Sequence, residues 1–559
     1  MAVHCRRSPG PGTPCLAVRL GHHGRVGDSQ GTVARATGAV AVATAASRVT
    51  GFVRTLALAA VLGVAAVGDA YNGANTTPNM VYELLLGGVM SSVFIPVLAR
   101  ARLRGRTQSR LFTQRVLVAT VIGAAAITVV AVAAAPLLVS AVVPGAAQSQ
   151  LTTTLAYLLL PEIFFYAVAG TVTAVLNVRD SYAPAAWAPV VNNLIVLATI
   201  GVFAVMPGPV TLVPSSLTTA QVLVLGLGTT AGIVGQATWA VAALRRTGFR
   251  WSWGVRPVPY TWRPVRIGMQ LLGWVGLYVA VSQIGVAMVF RVASHHGGVS
   301  TYTYADLLFQ VPYGILGVSL LTVLMPRIAH AVAVGDRDAL VADMNRAARY
   351  SMVALVPAAV AMALLGPMLT TVMFIGRVDV DAARLIGAAL ALSAFGLPPF
   401  ALVMLQLRVF YAANDMRTPA LINLAMVATK ISAVILSAAW LPDTAVVVAL
   451  PAAGSLSYLV GAVAGHLVLR RRYGLLGFHT VLDTFSRALW ASITAGIVCV
   501  VAVGLAHLLI DNPRAAAAAT LATVLVLGGP TFLVAARKIG IPEVRNAKAL
   551  LVNRSAVGG

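Results

Sequence analysis

The sequence predicts an all-α polytopic membrane protein of about fourteen transmembrane helices: two six-helix lobes in a parallel pseudo-twofold repeat, followed by a C-terminal helix pair. Three observations predict it. Hydrophobic residues make up 59% of the 559 positions and charged residues 10%, with a mean hydropathy of +0.87, which leaves too little polar surface for a soluble fold of this length. Apolar windows of about 20 residues, the length a helix needs to cross the hydrocarbon, recur along the chain. Positive charge gathers in alternate connecting loops.

Taken in order, residues 1–35 hold Pro, Gly, His and Arg but no apolar core of signal-peptide length, and read as a disordered cytoplasmic tail. Spans are expected at 37–63, 70–97, 116–143, 151–177, 184–206, 219–244, 267–293, 302–326, 350–375, 384–412, 418–441, 444–469, 487–510 and 515–536. Helices 1–6 would form a first lobe over 36–250, helices 7–12 a second over 251–480, and helices 13–14 a pair over 481–540, with a cytoplasmic tail at 541–559. Arginines crowd the loops after span two (Arg100, Arg102, Arg104, Arg106, Arg110, Arg115), span six (Arg245, Arg246, Arg250, Arg256) and span twelve (Arg470, Arg471, Arg472). By the positive-inside rule these loops and both termini are cytoplasmic, as an even number of spans requires. The net charge of +24 is therefore topological, and no nucleic-acid motif accompanies it. Cys5, Cys15 and Cys499 support neither a disulfide framework nor a metal motif, and nothing points to a cofactor.

The lobes rest on a weak internal repeat. Asp180 with Pro184 recurs as Asp415 with Pro419, Gly87 with Pro96 as Gly317 with Pro326, and Asp69 as Asp306, all at offsets of 230–237. Halves with the same topology are related about an axis along the membrane normal, an arrangement in which transporters bind cargo between the halves.

Against this apolar background, Arg48 lies near the middle of the first span and Arg54 six residues on. A guanidinium in hydrocarbon costs about 2.5–3.5 kcal/mol or more, so it marks a wet cavity or a partner. Six residues at 100° place the two arginines about 120° apart around the helix, so both reach one cavity only if it is broad. Glu83 stands at the same depth as Arg48, roughly 20 Å below the outer boundary at 1.5 Å per residue. It is expected either to neutralise Arg48 or to hold it until an anion displaces it. Arg54 is expected in the cavity, or paired with Asp69 in an outer gate. Arg291 and Lys430 are the candidate cations of the second lobe, and Asn79 a candidate polar contact. Asp69 and Asp306, at the outer ends of spans two and eight, are candidates for gating or for helix N-caps. Asn192, Asn193 and Asn423 are expected to tie helices together, and Arg408 to snorkel to the cytoplasmic surface.

The run Ser47-Arg48-Val49-Thr50-Gly51-Phe52-Val53-Arg54, then Asp69-Ala70-Tyr71, Pro78-Asn79 and Gly87-Gly88 through Phe94-Ile95-Pro96, resembles the first two helices of the MurJ/MviN family. These are lipid II flippases of the multidrug/oligosaccharidyl-lipid/polysaccharide exporter superfamily. Tyr304-Ala305-Asp306 with Pro312 and Gly314 through Pro326 is similar to the family's eighth helix, and Tyr411 to Pro419 to its tenth. The resemblance covers roughly 35–540. It implies a central cationic cavity, a groove beside helices 13 and 14 for a polyprenyl tail, and movement of undecaprenyl-diphosphate-linked peptidoglycan precursor to the outer leaflet of the bacterial cytoplasmic membrane. Membrane lipids and the cell-wall synthesis machinery are the implied partners. A diphosphate suits the bidentate arginine fork. The chain departs from the family pattern where Tyr82 and Glu83, and Leu307 and Gln310, stand in place of charged residues common in relatives.

The alternatives are a flippase for another polyprenyl-diphosphate glycan and a cation-coupled multidrug exporter; the latter would call for a carboxylate in the first helix, which here carries arginines. An enzyme is not expected. A glycosyltransferase using Asp69 as base would need larger outer loops than these.

Overall fold

A computed structural model of the chain describes residues 26–84, 106–144, 146–208, 213, 216–249, 251, 263–474 and 476–544. Gly87, Pro96, the arginines at 100, 102, 104, 250 and 256, Cys5, Cys15 and the tail beyond 544 lie outside them. Among the described residues every regular element is helical. The first half of the chain forms α1 (Val26–Leu62), α2 (Ala66–Tyr82), α3 (Arg106–Ala133), α4 (Ala135–Val142), α5 (Ala146–Leu159), α6 (Glu162–Val178), α7 (Tyr182–Val205) and α8 (Thr219–Arg246). The second forms α9 (Arg263–His295), α10 (Val299–Pro312), α11 (Val318–Val334), α12 (Arg337–Met373), α13 (Val380–Ser393), α14 (Leu397–Ala412), α15 (Arg417–Trp440) and α16 (Asp443–Tyr473). Three more, α17 (His479–Leu509), α18 (Pro513–Thr523) and α19 (Gly529–Ile539), follow, with α17 and α18 packed on α12.

Among the described residues twelve stretches of helix are long and apolar enough to cross a membrane, and they match twelve of the expected spans one to one, all but spans two and eight. Span two is described only as far as residue 84, and span eight contains an irregular turn. Beyond α2 the turn at 83–84 is π-helical, and between α10 and α11 the segment Tyr313–Gly317 is a π-helix. Pro312 accounts for the turn in span eight: it lacks the donor that would meet the carbonyl four residues back, and the π-turn that follows re-satisfies such a freed carbonyl.

Two boundaries differ from expectation. Residues 26–35, expected as disordered tail, are helical, because an apolar run sets where a helix is buried and not where its hydrogen bonds stop. The expected tail from 541 begins docked: Ile541 is buried, and Glu543 lies 3.2 Å from the Arg349 guanidinium.

The same packing skeleton occurs in both halves. In the first, α7 packs on α1 and α8; in the second, α15 packs on α9 and α16. Small residues allow the approach. A Cβ on Gly228 or Gly232 would collide with Thr199 or Asn192, and one on Gly461 or Gly465 with Met426 or Gln406. Asn193 Nδ2 donates to Ser47 O and Thr50 Oγ1, each at 3.1 Å. Asn423 Nδ2, 230 residues on, donates to Tyr278 O at 2.9 Å and Ser282 Oγ at 3.0 Å. The turns into α7 and α15 also match: Asp180 and Asn414 take positive φ of 61° and 56°, and the next N–H, of Ser181 or Asp415, bonds five residues back. Arg472 then pins its turn by a 3.0 Å bond to Asp415. Partial burial pushes the Asp415 carboxyl up, but hydrogen bonds from Thr418 and Arg472 outweigh it and hold the group below the usual carboxylate range.

Candidate functional site

Hydrogen bonds between the two halves gather, among the described residues, at one end of the bundle. Asp69, in the first turn of α2, is fully buried and accepts from the backbone N–H of Ser300 at 2.7 Å and of Val299 at 3.3 Å. It is an N-cap, but of α10 in the other half rather than of its own helix. The carboxylate sits against the positive end of that dipole and satisfies donors that α10 leaves free. Asn72, one turn on, donates to Ser300 Oγ at 3.0 Å and Tyr304 Oη at 3.4 Å. Arg377 N donates to Ala60 O at 2.9 Å. Arg291 reaches across to the last carbonyls of α4, Ser140 O at 3.3 Å and Ala141 O at 3.4 Å. This end is closed.

Deeper in the bundle, Arg48 projects from α1 and is exposed, yet its guanidinium lies against Gly314 of the other half, where a Cβ would displace it. An exposed charge that touches the opposite half lines a space between the halves rather than the lipid face. Gly314 belongs to the π-helical Tyr313–Gly317 segment, and Arg408 of α14 lies near enough to act on Tyr313 there. Two guanidiniums therefore converge on one irregular turn. Arg408 was expected to snorkel to the surface; depth along a helix gave no warning of the side it faces.

Arg54 points elsewhere, as the 120° separation requires. The charged group acting on it is Glu162, at the start of α6, in a setting shared with Tyr71 and Tyr166. Glu162 is fully buried, its Oε2 has no hydrogen-bond partner, and neither has Arg54 Nε. Sequence reasoning passed over Glu162, although a carboxylate in the interior of the fourth expected span was a signal of the same kind as Arg48. Arg54 is not part of an Asp69 gate, because Asp69 is already engaged by α10.

The remaining candidates are placed as follows. Glu83 is exposed where α2 passes into a π-turn, and it forms no ion pair with Arg48 among the described residues. Asn79 Nδ2 donates to Asn75 O of its own helix at 2.9 Å. Asp306 lies in the second turn of α10, not at its end as Asp69's counterpart, and accepts from Gln310 Nε2 at 2.8 Å. Lys430 acts on Asp306, donates to Tyr302 Oη at 3.3 Å and stands 5.8 Å from that ring's centroid. Asp306, Gln310, Lys430 and Tyr302 thus form a cluster on the second half that satisfies itself.

Comparison with known proteins bears on this arrangement. The sequence family described as lipid II flippase MurJ matches residues 58–512. The chain is 28% identical over 398 residues, 70% of its length and 72% of the relative's, to a probable lipid II flippase MurJ of Rhizobium meliloti. It is 27% identical over 396 residues, 69% and 75% of the two chains, to the lipid II flippase MurJ of Burkholderia cenocepacia. Its fold is similar to that of a lipid II flippase MurJ in an inward closed conformation, with a TM-score of 0.70 at 17% identity over 89% of this chain and 97% of the other. An inward-facing multidrug resistance transporter of the MATE family shares the fold at a TM-score of 0.62, 14% identity, and 77% and 95% coverage.

Proposed function

The chain belongs to the lipid II flippase MurJ family, and from that premise we propose that it carries lipid II across the bacterial cytoplasmic membrane by alternating access. The observation that carries the reading is Arg48: an exposed guanidinium deep in an apolar bundle, set between two halves that are joined at one end. In this reading 36–250 and 251–480 are the two lobes, 481–540 is the helix pair beside which the lipid tail lies, and the joined end faces outward. The arginine-rich loops and both termini are then cytoplasmic, and the space lined by Arg48 is open to the leaflet where the precursor is made.

The chemistry is electrostatic and no bond is broken, so the protein is a transporter and not a catalyst. Arg48 and Arg408, converging on the π-helical turn, supply forks to the diphosphate. Arg54, Lys430 and the polar groups of α10 make up the wider wall. Asp69 and Asn72 hold the outward end shut until the halves part, and release there delivers the precursor to the cell-wall synthesis machinery, the expected partner.

Depletion of the protein in its host, with lipid II exposure at the outer leaflet as the readout, tests the assignment. Exposure is expected to fall and the precursor to accumulate inside. Unchanged exposure would remove lipid II as the cargo and favour another polyprenyl-diphosphate glycan.

A further inference from the structure

Glu162 opens α6 immediately after the break at Leu160–Pro161, and it is fully buried. Its Oε1 lies 3.4 Å from Thr230 Oγ1, but that hydroxyl also lies 2.7 Å from Leu158 O. A hydroxyl has one proton to donate, and the shorter contact to the carbonyl takes it. The 3.4 Å contact with Glu162 is then a weak one, which leaves Oε1 poorly met as a carboxylate and gives a protonated carboxyl the threonine oxygen as an acceptor. Oε2 meets no partner among the described residues.

The surroundings agree with a carboxyl that carries a proton here. Arg54 of α1 is the cation that acts on it, yet the two form no ion pair, and Arg54 Nε is buried without a partner. Tyr71 of α2 faces the site while bonded to Thr229 at 3.0 Å, and Tyr166 faces it from α6 itself. Thr230 is the contribution of α8. Helices α5 and α7 carry no charged residue, and the arginines of α3, at 106, 110 and 115, stand in its first turns and do not act on Glu162. A buried carboxylate with one unengaged cation nearby is a group whose charge depends on whether that cation closes on it.

We propose that Glu162 is a proton-binding site of the first half, holding a proton while Arg54 stands off and releasing it when Arg54 Nε–H closes on Oε2. The step is a simple exchange: the carboxyl O–H breaks, the proton leaves to water, and the guanidinium takes its place as hydrogen-bond donor. This goes beyond the cargo reading and does not depend on it, since the site is complete within α1, α2, α6 and α8.

Infrared spectroscopy of the purified full chain tests it. At neutral pH the protein is expected to show the carbonyl band of a protonated carboxylic acid that Glu162→Gln deletes and Glu162→Asp displaces. On raising the pH that band should fade, and in Arg54→Gln it should persist about one pH unit higher or more, because the cation that favours ionisation is gone. Absence at neutral pH of an acid band sensitive to both substitutions would overturn the proposal. So would fading at the same pH with and without Arg54.

Discussion

Asn193 and Asn423 hold equivalent helices together in the two halves through the same pair of acceptors, a backbone carbonyl and a hydroxyl one turn on. The charges laid over that shared skeleton are arranged in opposite ways. In the second half Lys430 leans on Tyr302 and Asp306 takes a bond from Gln310, so the ionised groups are met locally. In the first, Arg48 is exposed beside Gly314 of the other half, and Arg54 and Glu162 each keep a buried atom unmet among the described residues. The difference teaches that the repeat supplies a stiff frame, while the capacity to respond to an anion or a proton is concentrated on one side of it.

The contrast can be broken most directly at one cation from each half. Arg48→Ala is expected to lower the appearance of lipid II at the outer leaflet by about tenfold to a hundredfold, since a charge-assisted hydrogen bond is worth roughly 1.5–3 kcal/mol. Lys430→Ala, which frees only a locally satisfied group, should cost about threefold or less, close to the net value of an ordinary hydrogen bond. Equal losses would erase the asymmetry. Next in size is Asp69→Ala, which removes a carboxylate shared by two N–H donors. Disulfide trapping between Asn72→Cys and Ser300→Cys should slow by roughly tenfold in that background, about 1.4 kcal/mol; an unchanged rate would mean that the cap does not hold the halves.

The skeleton itself sharpens the comparison from the other side. Asn193→Ala and Asn423→Ala should each lower stability by about 1 kcal/mol, to the same extent, as read from thermal unfolding in detergent. A large inequality would show that the halves are less alike than their hydrogen bonds. Asp415→Asn should have the smallest effect. Because hydrogen bonds hold the Asp415 carboxyl low, its contribution is present above the ordinary value of about 3.9 and is lost as pH falls through the lower folded value. The wild type should therefore be slightly the more stable at neutral pH and lose that margin below about pH 4; a margin that persisted there would point to a cause other than charge.

Much of the architecture was legible because apolar length is a one-dimensional property. The twelve crossing stretches fall where hydropathy places them, and the helix-tying roles of Asn193 and Asn423 follow from amides in an apolar setting. What sequence did not give was azimuth and partner. Depth matches Glu83 to Arg48, but depth does not say which side of its helix a residue faces, and the two form no ion pair among the described residues. Position at a helix end makes Asp69 a gate or a cap for its own helix, but not a cap for another helix 230 residues away, which is what it is. Asp306 was taken as its counterpart from spacing, but α10 starts earlier than the apolar window suggests. Glu162 was missed because attention to cations passed over the acid that faces one of them.

The glycine-set contacts of α7 on α8 and of α15 on α16 make each half behave as a stiff bar, and α10, one of the helices that touch between the bars, runs into a π-turn at Tyr313–Gly317. Such a construction is a pair of levers meeting at a soft fulcrum. If the halves alternate as proposed, parting Asp69 from Ser300 opens one end and the same tilt closes the other. The Arg48–Gly314 contact lies between the two ends, so it is the one expected to move least.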